Sequence, residues 1–264
     1  MMEFLPSYDH AKLLQFAAKV KKDINAWQFV AVSLTGKTTH NAPHIAWKLR
    51  EYFRGIDGVI FVCAGREILA LVNMGPQTDP DGLCSDIEKT MPQYSCSVEA
   101  MPAAMGGLPR LQLRLQDAMK EKSDTPPLLT ARMERARDIV MVVEDDMFVR
   151  SLIARVFHPK IHVVEVGGID GLVETYLSML PDILFLDIHL PGGSGMEALS
   201  EILSFDPSAY VIIISSDSVK DNVLTAKNLG AKGFVAKNFS PEKLEYYYTN
   251  CPTVMHRKAA HEQR

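Results

Sequence analysis

Five residues in the second half of this 264-residue chain have the types and positions to do chemistry together. Glu144 and Asp145 follow the apolar run Ile139-Val140-Met141-Val142-Val143, and Asp187 closes Ile183-Leu184-Phe185-Leu186 just before Pro191-Gly192. Ser215 ends a third run, Ile212-Ile213-Ile214, and Lys237 ends a fourth, Phe234-Val235-Ala236. Three carboxylates at adjacent strand ends repel one another unless a cation neutralises them or one holds a proton. Oxygen-only ligands with room for water suit Mg2+ rather than zinc or copper. Adding a hydroxyl and an ammonium makes a phosphoryl site. Metal and Lys neutralise the oxyanion, the hydroxyl donates a hydrogen bond, and one carboxylate is the nucleophile.

The elements that must carry these residues are legible from the alternation of apolar runs and helical periodicity. Strands are expected at 139–143, 161–166, 183–186, 210–214 and 233–236, with helices at 147–157, 171–180, 195–204 and 219–229 and a last one opened by Ser240-Pro241-Glu242. Strands alternating with helices predict an α/β, doubly wound (βα)5 parallel sheet, which presents ligands at its carboxyl edge. The first half reads differently. A helix at 9–24 leads to a strand at 28–34, a helix at 43–54, strands at 59–63 and 68–73 around a tight turn at 64–67, a helix at 83–91 and a strand at 95–100. That order, βαββαβ, predicts an α+β ferredoxin-like domain. Residues 109–122 fit a helix through Leu111, Leu115, Ala118 and Met119, and also a strand through Leu111, Leu113 and Leu115; the helix is preferred. The Pro126-Pro127 pair interrupts both patterns. The expected organisation is a first domain at 1–122, a linker at 123–137 whose short basic stretch 131–137 reads as a brief helix, a second domain at 138–252 and a tail at 253–264.

In their order and spacing, Val143-Glu144-Asp145-Asp146, Leu186-Asp187-Ile188-His189-Leu190-Pro191-Gly192, Ser215 and Gly233-Phe234-Val235-Ala236-Lys237 resemble the receiver domain of two-component response regulators. The resemblance covers about 115 residues, 138 to 251, and implies a flavodoxin-like fold. It implies that Asp187 accepts a phosphoryl group from a sensor histidine kinase or a histidine phosphotransfer protein. Glu144, Asp145, Asp187 and the backbone carbonyl of His189 would hold Mg2+, and Lys237 would pair with the phosphoryl oxygens. Ser215 and Phe234 would form the switch pair that signals to an unnamed downstream protein, with a homodimer as a further partner. Two positions depart from the family pattern: Asn238 stands where Pro usually follows the Lys, and Ser216 replaces the commoner Ala.

The first domain resembles the palm domain of diguanylate cyclases at 45–59, 65–72 and 115–122. The chemistry is missing, because 29–34 offers no carboxylate and the turn has Gly65-Arg66-Glu67 where a cyclase needs two glycines and two acids. It reads as a non-catalytic relative or as an unrelated ferredoxin-like binding fold, used for protein contact or ligand sensing. The alternative is a receiver-regulated nucleotide cyclase-like enzyme or a nucleotide-binding sensor.

Other patterns carry less. Gly36-Lys37-Thr38 lacks the first Gly of a phosphate loop, and His40 and His44 flank Pro43, which suits a helix start better than a zinc pair. The four cysteines form no CxxC and predict buried free thiols. The chain has 28 Lys and Arg against 32 Asp and Glu; its acidic second half is not expected to grip nucleic acid unaided, and no DNA-binding domain is expected after the receiver. No basic start followed by a long apolar stretch and no spanning run is present, so a cytoplasmic protein with no membrane partner is expected.

Overall fold

Strands whose residues are apolar at nearly every position must be covered on both faces, and both sheets of this protein are built that way. The structure, a computed structural model of the full chain, describes residues 2–5, 10–34, 42–63, 67–76, 79–120, 127–157, 159, 161–216 and 220–262. The chain divides into two compact units, Met1–Pro127 and Leu128–Arg264.

The first unit runs β1 (Met2–Leu5), α1 (His10–Val20), β2 (Trp27–Leu34), α2 (Ala42–Tyr52), β3 (Asp57–Cys63), β4 (Glu67–Asn73), α3 (Pro80–Lys89), β5 (Cys96–Pro102) and α4 (Gly107–Lys120). Its sheet order is β1-β3-β4-β2-β5, antiparallel except for the β1/β3 pair. The last four strands have the ferredoxin-like order. Phe29 and Ala31 of β2 point into a core with Leu13 and Phe16 of α1 and Leu111 and Leu115 of α4, whereas Val30 and Val32 meet Ile45 and Leu49 of α2 and Leu83 and Ile87 of α3. The sheet therefore carries helices on both faces and one more strand than the sequence reading expects. Residues 107–120 are helical, with Leu111 and Leu115 buried and Leu113 59% exposed, which resolves the helix-or-strand ambiguity. The side chains of Ala118 and Met119, the Gly36–Thr38 stretch, His40 and the turn at 64–66 lie outside the described residues. His44 is buried on α2, with its Nδ1 bonded at 2.5 Å to the Tyr94 hydroxyl. Cys63, Cys84, Cys96 and Cys251 are free thiols, but only Cys63 and Cys251 are buried.

The second unit opens with α5 (Pro127–Glu134) and continues β6 (Ile139–Val143), α6 (Met147–Phe157), β7 (His162–Val166), α7 (Leu172–Met179) and β8 (Ile183–Asp187). A two-residue hairpin follows, β9 (His189–Leu190) and β10 (Gly193–Ser194), then α8 (Gly195–Phe205), β11 (Val211–Ser215), α9 (Lys220–Leu229), β12 (Gly233–Ala236), α10 (Pro241–Thr249) and α11 (Pro252–Glu262). The sheet is parallel, in the order β12-β11-β8-β6-β7. This is the flavodoxin-like doubly wound arrangement, whose strand order reverses between β6 and β8. Val140, Val142, Phe185, Ile212 and Ile214 pack against Ile153 and Phe157 of α6 and Leu244 of α10.

Two segments differ from the sequence reading. The brief helix expected at 131–137 in the linker is α5, which lies earlier, at 127–134, and the expected tail is α11. Each helix is held by a buried arginine. Arg132 of α5 donates to Pro181 O (2.8 Å), the Tyr176 hydroxyl (2.6 Å) and Ser208 Oγ (3.3 Å), and pairs with Asp206. Arg257 of α11 pairs with Asp138 (2.6 Å) and Asp182 (2.5 Å) and donates to the Arg132 carbonyl. Arg135, just past α5, donates to the carbonyls of Leu180 (2.8 Å) and Met179 (3.2 Å), satisfying acceptors left open where α7 ends in the left-handed Leu180. Burial of such arginines is tolerated because each is paired and hydrogen-bonded.

Candidate functional site: an acidic cluster at the carboxyl edge of the parallel sheet

The register of the second sheet brings four of the five chemistry-bearing residues into direct proximity. Val143 is opposite Leu186 and Asp187 opposite Ile214, so the loop after β6 and the ends of β8 and β11 lie side by side. Ligand atoms of Glu144, Asp145 and Asp187 all lie within 4.8 Å of one another. Glu144 and Asp187 are each 1% exposed, whereas Asp145 is exposed. Lys237 leaves β12 and places Nζ 2.8 Å from Glu144 Oε1 and 3.1 Å from Asp187 Oδ2. Its backbone N–H donates to Ser215 O at 2.9 Å, fixing the Lys237 loop to the end of β11.

One ammonium does not satisfy two buried carboxylates. Glu144 Oε2 and Asp187 Oδ1 are buried without a hydrogen-bond partner. Oxygens in that condition incur a desolvation penalty that a cation or a hydrogen-bond donor offsets. Burial is the main cause that pushes the Glu144 carboxyl above the usual range, and the nearby Asp187 charge adds to it, against the opposing pull of Lys237. For Lys237, burial works against the charge, but its hydrogen bonds to Glu144 and Asp187 outweigh it and hold the ammonium above its ordinary value. The donor set is all oxygen, one member is open to water and two oxygens have no partner, so the residues present fit a hard divalent cation.

The backbone around the site is equally specific. Gly192 turns the β9/β10 hairpin with φ of +85°, and Gly195 opens α8 with its N–H donated to Ile188 O at 2.8 Å. A Cβ on Gly195 would lie 1.9 Å from the Asp187 carbonyl oxygen, so the close approach of α8 to the end of β8 requires glycine there.

Ser215 is fully buried at the end of β11, next in sequence to Ile214 opposite Asp187. Phe234 is half-buried on β12 opposite Ile213, two residues before Ala236, which faces Ser215 across the pair. The side chain of His189 is exposed. Asp146, the third acid of its run, turns away and caps α6, accepting from Phe148 N at 2.8 Å. Sequence reasoning missed Arg150, whose guanidinium donates to the carbonyls of Glu144 (2.6 Å) and Asp145 (3.3 Å). An arginine one turn into an amphipathic helix carries no signal distinguishing it from a solvated one.

Comparison with known proteins gives the family of the second unit. Residues 140–248 match the response regulator receiver domain family. The chain is 36% identical over 107 residues to the chemotaxis protein CheY of Listeria monocytogenes, spanning 40% of this chain and 90% of that protein. It is 38% identical over 110 residues to CheY of Treponema pallidum, spanning 40% and 76%. Among solved structures it is similar to the CheX-CheY-BeF3-Mg2+ complex from Borrelia burgdorferi, with 27% identity, a TM-score of 0.41 and coverage of 42% of this chain and 87% of that one. The family match lies inside the second unit and leaves the cyclase resemblance of the first unit as an expectation from sequence alone. Through residues 140–248, the chain belongs to the response regulator receiver family of two-component signalling proteins.

Proposed function

We propose that this protein is a phosphoacceptor response regulator in which Asp187 takes a phosphoryl group from a histidine kinase or a histidine phosphotransfer protein. The observation that carries the reading is the pair of buried, unpartnered oxygens, Glu144 Oε2 and Asp187 Oδ1, beside the exposed Asp145 and under the Lys237 ammonium. Glu144, Asp145 and Asp187, with the His189 carbonyl, are the residues that would hold Mg2+. When bound, that ion supplies positive charge against the phosphoryl oxygens. In the transfer, an Asp187 oxygen forms a bond to phosphorus as the N–P bond of the donor phosphohistidine breaks; with the donor's other ring nitrogen protonated, the leaving group is a neutral imidazole and the product an acyl phosphate on Asp187. Lys237 is placed to neutralise the transferred group because it already spans Glu144 and Asp187. Ser215 and Phe234 are the pair that reads the modification, and the change is passed on by protein contacts.

The same reading gives the first unit a binding or sensing role rather than catalysis. Its carboxylates Glu67 and Glu99 are paired with Arg114 (3.2 and 2.7 Å), and Glu99 also with Arg110 (2.6 Å), so arginine rather than a metal ion balances these two acids. Among the described residues no helix is long and apolar enough to cross a membrane.

The test is labelling with a small-molecule phosphodonor. With Mg2+ present, the full chain is expected to gain one base-labile, acid-stable phosphoryl group, and Asp187→Asn to gain none while keeping its fold. Labelling that persists in Asp187→Asn, or that needs no divalent cation, overturns the assignment.

A further inference from the structure

Two of the three clustered acids sit on one short loop, 144–146, between β6 and α6, so their spacing depends on what holds that loop. The Glu144 N–H donates to Val166 O at 3.1 Å, and the Asp146 carboxylate is spent on capping α6. That leaves the carbonyls of Glu144 and Asp145. Arg150 supplies both with a donor: Nη1 lies 2.6 Å from Glu144 O and 3.3 Å from Asp145 O. The same guanidinium is braced from the other side by Glu165 of β7, at 3.5 Å from Nε, and its side chain is only 17% exposed. Strand β7, through Val166 and Glu165, and helix α6, through Arg150, thus grip the loop from both sides.

A positive charge beside a cation site is a puzzle if charge alone is considered. Like charges repel, so an arginine here lowers the affinity of the acids for a divalent ion through space. Its geometry acts in the opposite direction. A planar guanidinium carries donors in fixed directions: Nη1 serves both carbonyls while Nε faces the Glu165 carboxylate, two sides that one rigid group links and a single ammonium does not. Groups that orient metal ligands without touching the metal commonly change affinity by about ten- to a hundredfold when removed.

We propose that Arg150 is a positioning residue for the cation site: braced on Glu165, it pins the Glu144 and Asp145 carbonyls and thereby holds these two acids at the separation cation binding needs. The inference rests on the reading of the cluster as a cation site.

The two roles of Arg150 have opposite signs, which makes the test decisive. The unsubstituted chain, Arg150→Met and Arg150→Lys are titrated with Mg2+ alone, and the half-saturating concentration is read from the rise in the unfolding midpoint. Folding is checked on each variant by circular dichroism and by the midpoint without metal. Arg150→Met is expected to need about tenfold more Mg2+. Arg150→Lys, which keeps the charge and loses the fork, is expected to remain weakened. Tighter or unchanged binding in Arg150→Met overturns the proposal, because only through-space repulsion then survives. Wild-type affinity in Arg150→Lys overturns it as well, since charge without the fork is then sufficient. A wild-type chain that ignores Mg2+ removes the cation site, and both readings fall; a responsive wild type with an indifferent Arg150→Met removes this inference alone.

Discussion

Replacing Lys237 with Met is expected to expose how the acidic cluster is balanced. The ammonium lies 2.8 Å from Glu144 Oε1 and 3.1 Å from Asp187 Oδ2, and both carboxylates are 1% exposed. Methionine fills similar space but leaves two buried carboxylates facing each other, with Asp145 close to both. Removing one partner of a buried charge pair costs about 3 to 5 kcal/mol, and the lower end applies because the Lys237 side chain is 22% exposed. A loss of about 3 kcal/mol in a unit of this size lowers the unfolding midpoint by about 10 °C. The penalty depends on pH with a definite sign. Burial already raises the Glu144 carboxyl above its ordinary range, and loss of the Lys237 hydrogen bond removes an influence that lowers it. A carboxyl raised in the folded state favours folding while protonated, and that contribution is lost as pH rises through its folded value. The difference between wild type and Lys237→Met is therefore expected to be small in mild acid, to grow toward alkaline pH, and to shrink again when Mg2+ is added. Calorimetric midpoints at about pH 5 and pH 8, with chelator and with Mg2+, measure it directly. A deficit equal at both pH values and indifferent to Mg2+ would refute the electrostatic argument and assign Lys237 a packing role.

Arg132→Met removes the partner of Asp206, which is 1% exposed, and is expected to cost about 4 kcal/mol in urea unfolding of the full chain. A loss below about 1 kcal/mol would place the pair among weak surface interactions instead. Gly195→Ala drives a Cβ toward the Asp187 carbonyl, 1.9 Å away, so α8 or the end of β8 must shift. The expected result is about 2 kcal/mol of destabilisation together with a weakened Mg2+ response, and an unchanged response would show that Asp187 does not move with its backbone.

The second sheet was legible in the sequence because most of its strands are apolar runs, which burial on both faces demands; edge strand β7, with His162 and Glu165 exposed, is the exception. The acids were legible for the same reason: a carboxylate that closes such a run lies at a strand end, and a parallel sheet gathers its carboxyl ends on one edge. The apolar runs of β2, β3 and β4, and the order of the helices between them, likewise revealed the ferredoxin-like centre of the first unit.

What escaped depended on partners distant in sequence. Met2–Leu5 is too short to announce a strand and becomes one only by pairing with Gly58–Phe61. Pro252 reads as the end of α10, yet proline is equally at home at the first position of a helix, and α11 exists because Thr253, Val254 and Arg257 dock at the base of the second sheet. Helix α5 was legible only as a brief helix at 131–137; its place at 127–134 depends on Arg132, whose acceptors are Pro181, Tyr176, Ser208 and Asp206. Arg150 was invisible because its acceptors are main-chain carbonyls, which have no side-chain signature. Local pattern determined which residues could form strands and which acids would stand at their ends. Tertiary structure decided which charges are buried and which arginine pairs with which carboxylate, because those energies depend on distance and solvent exclusion.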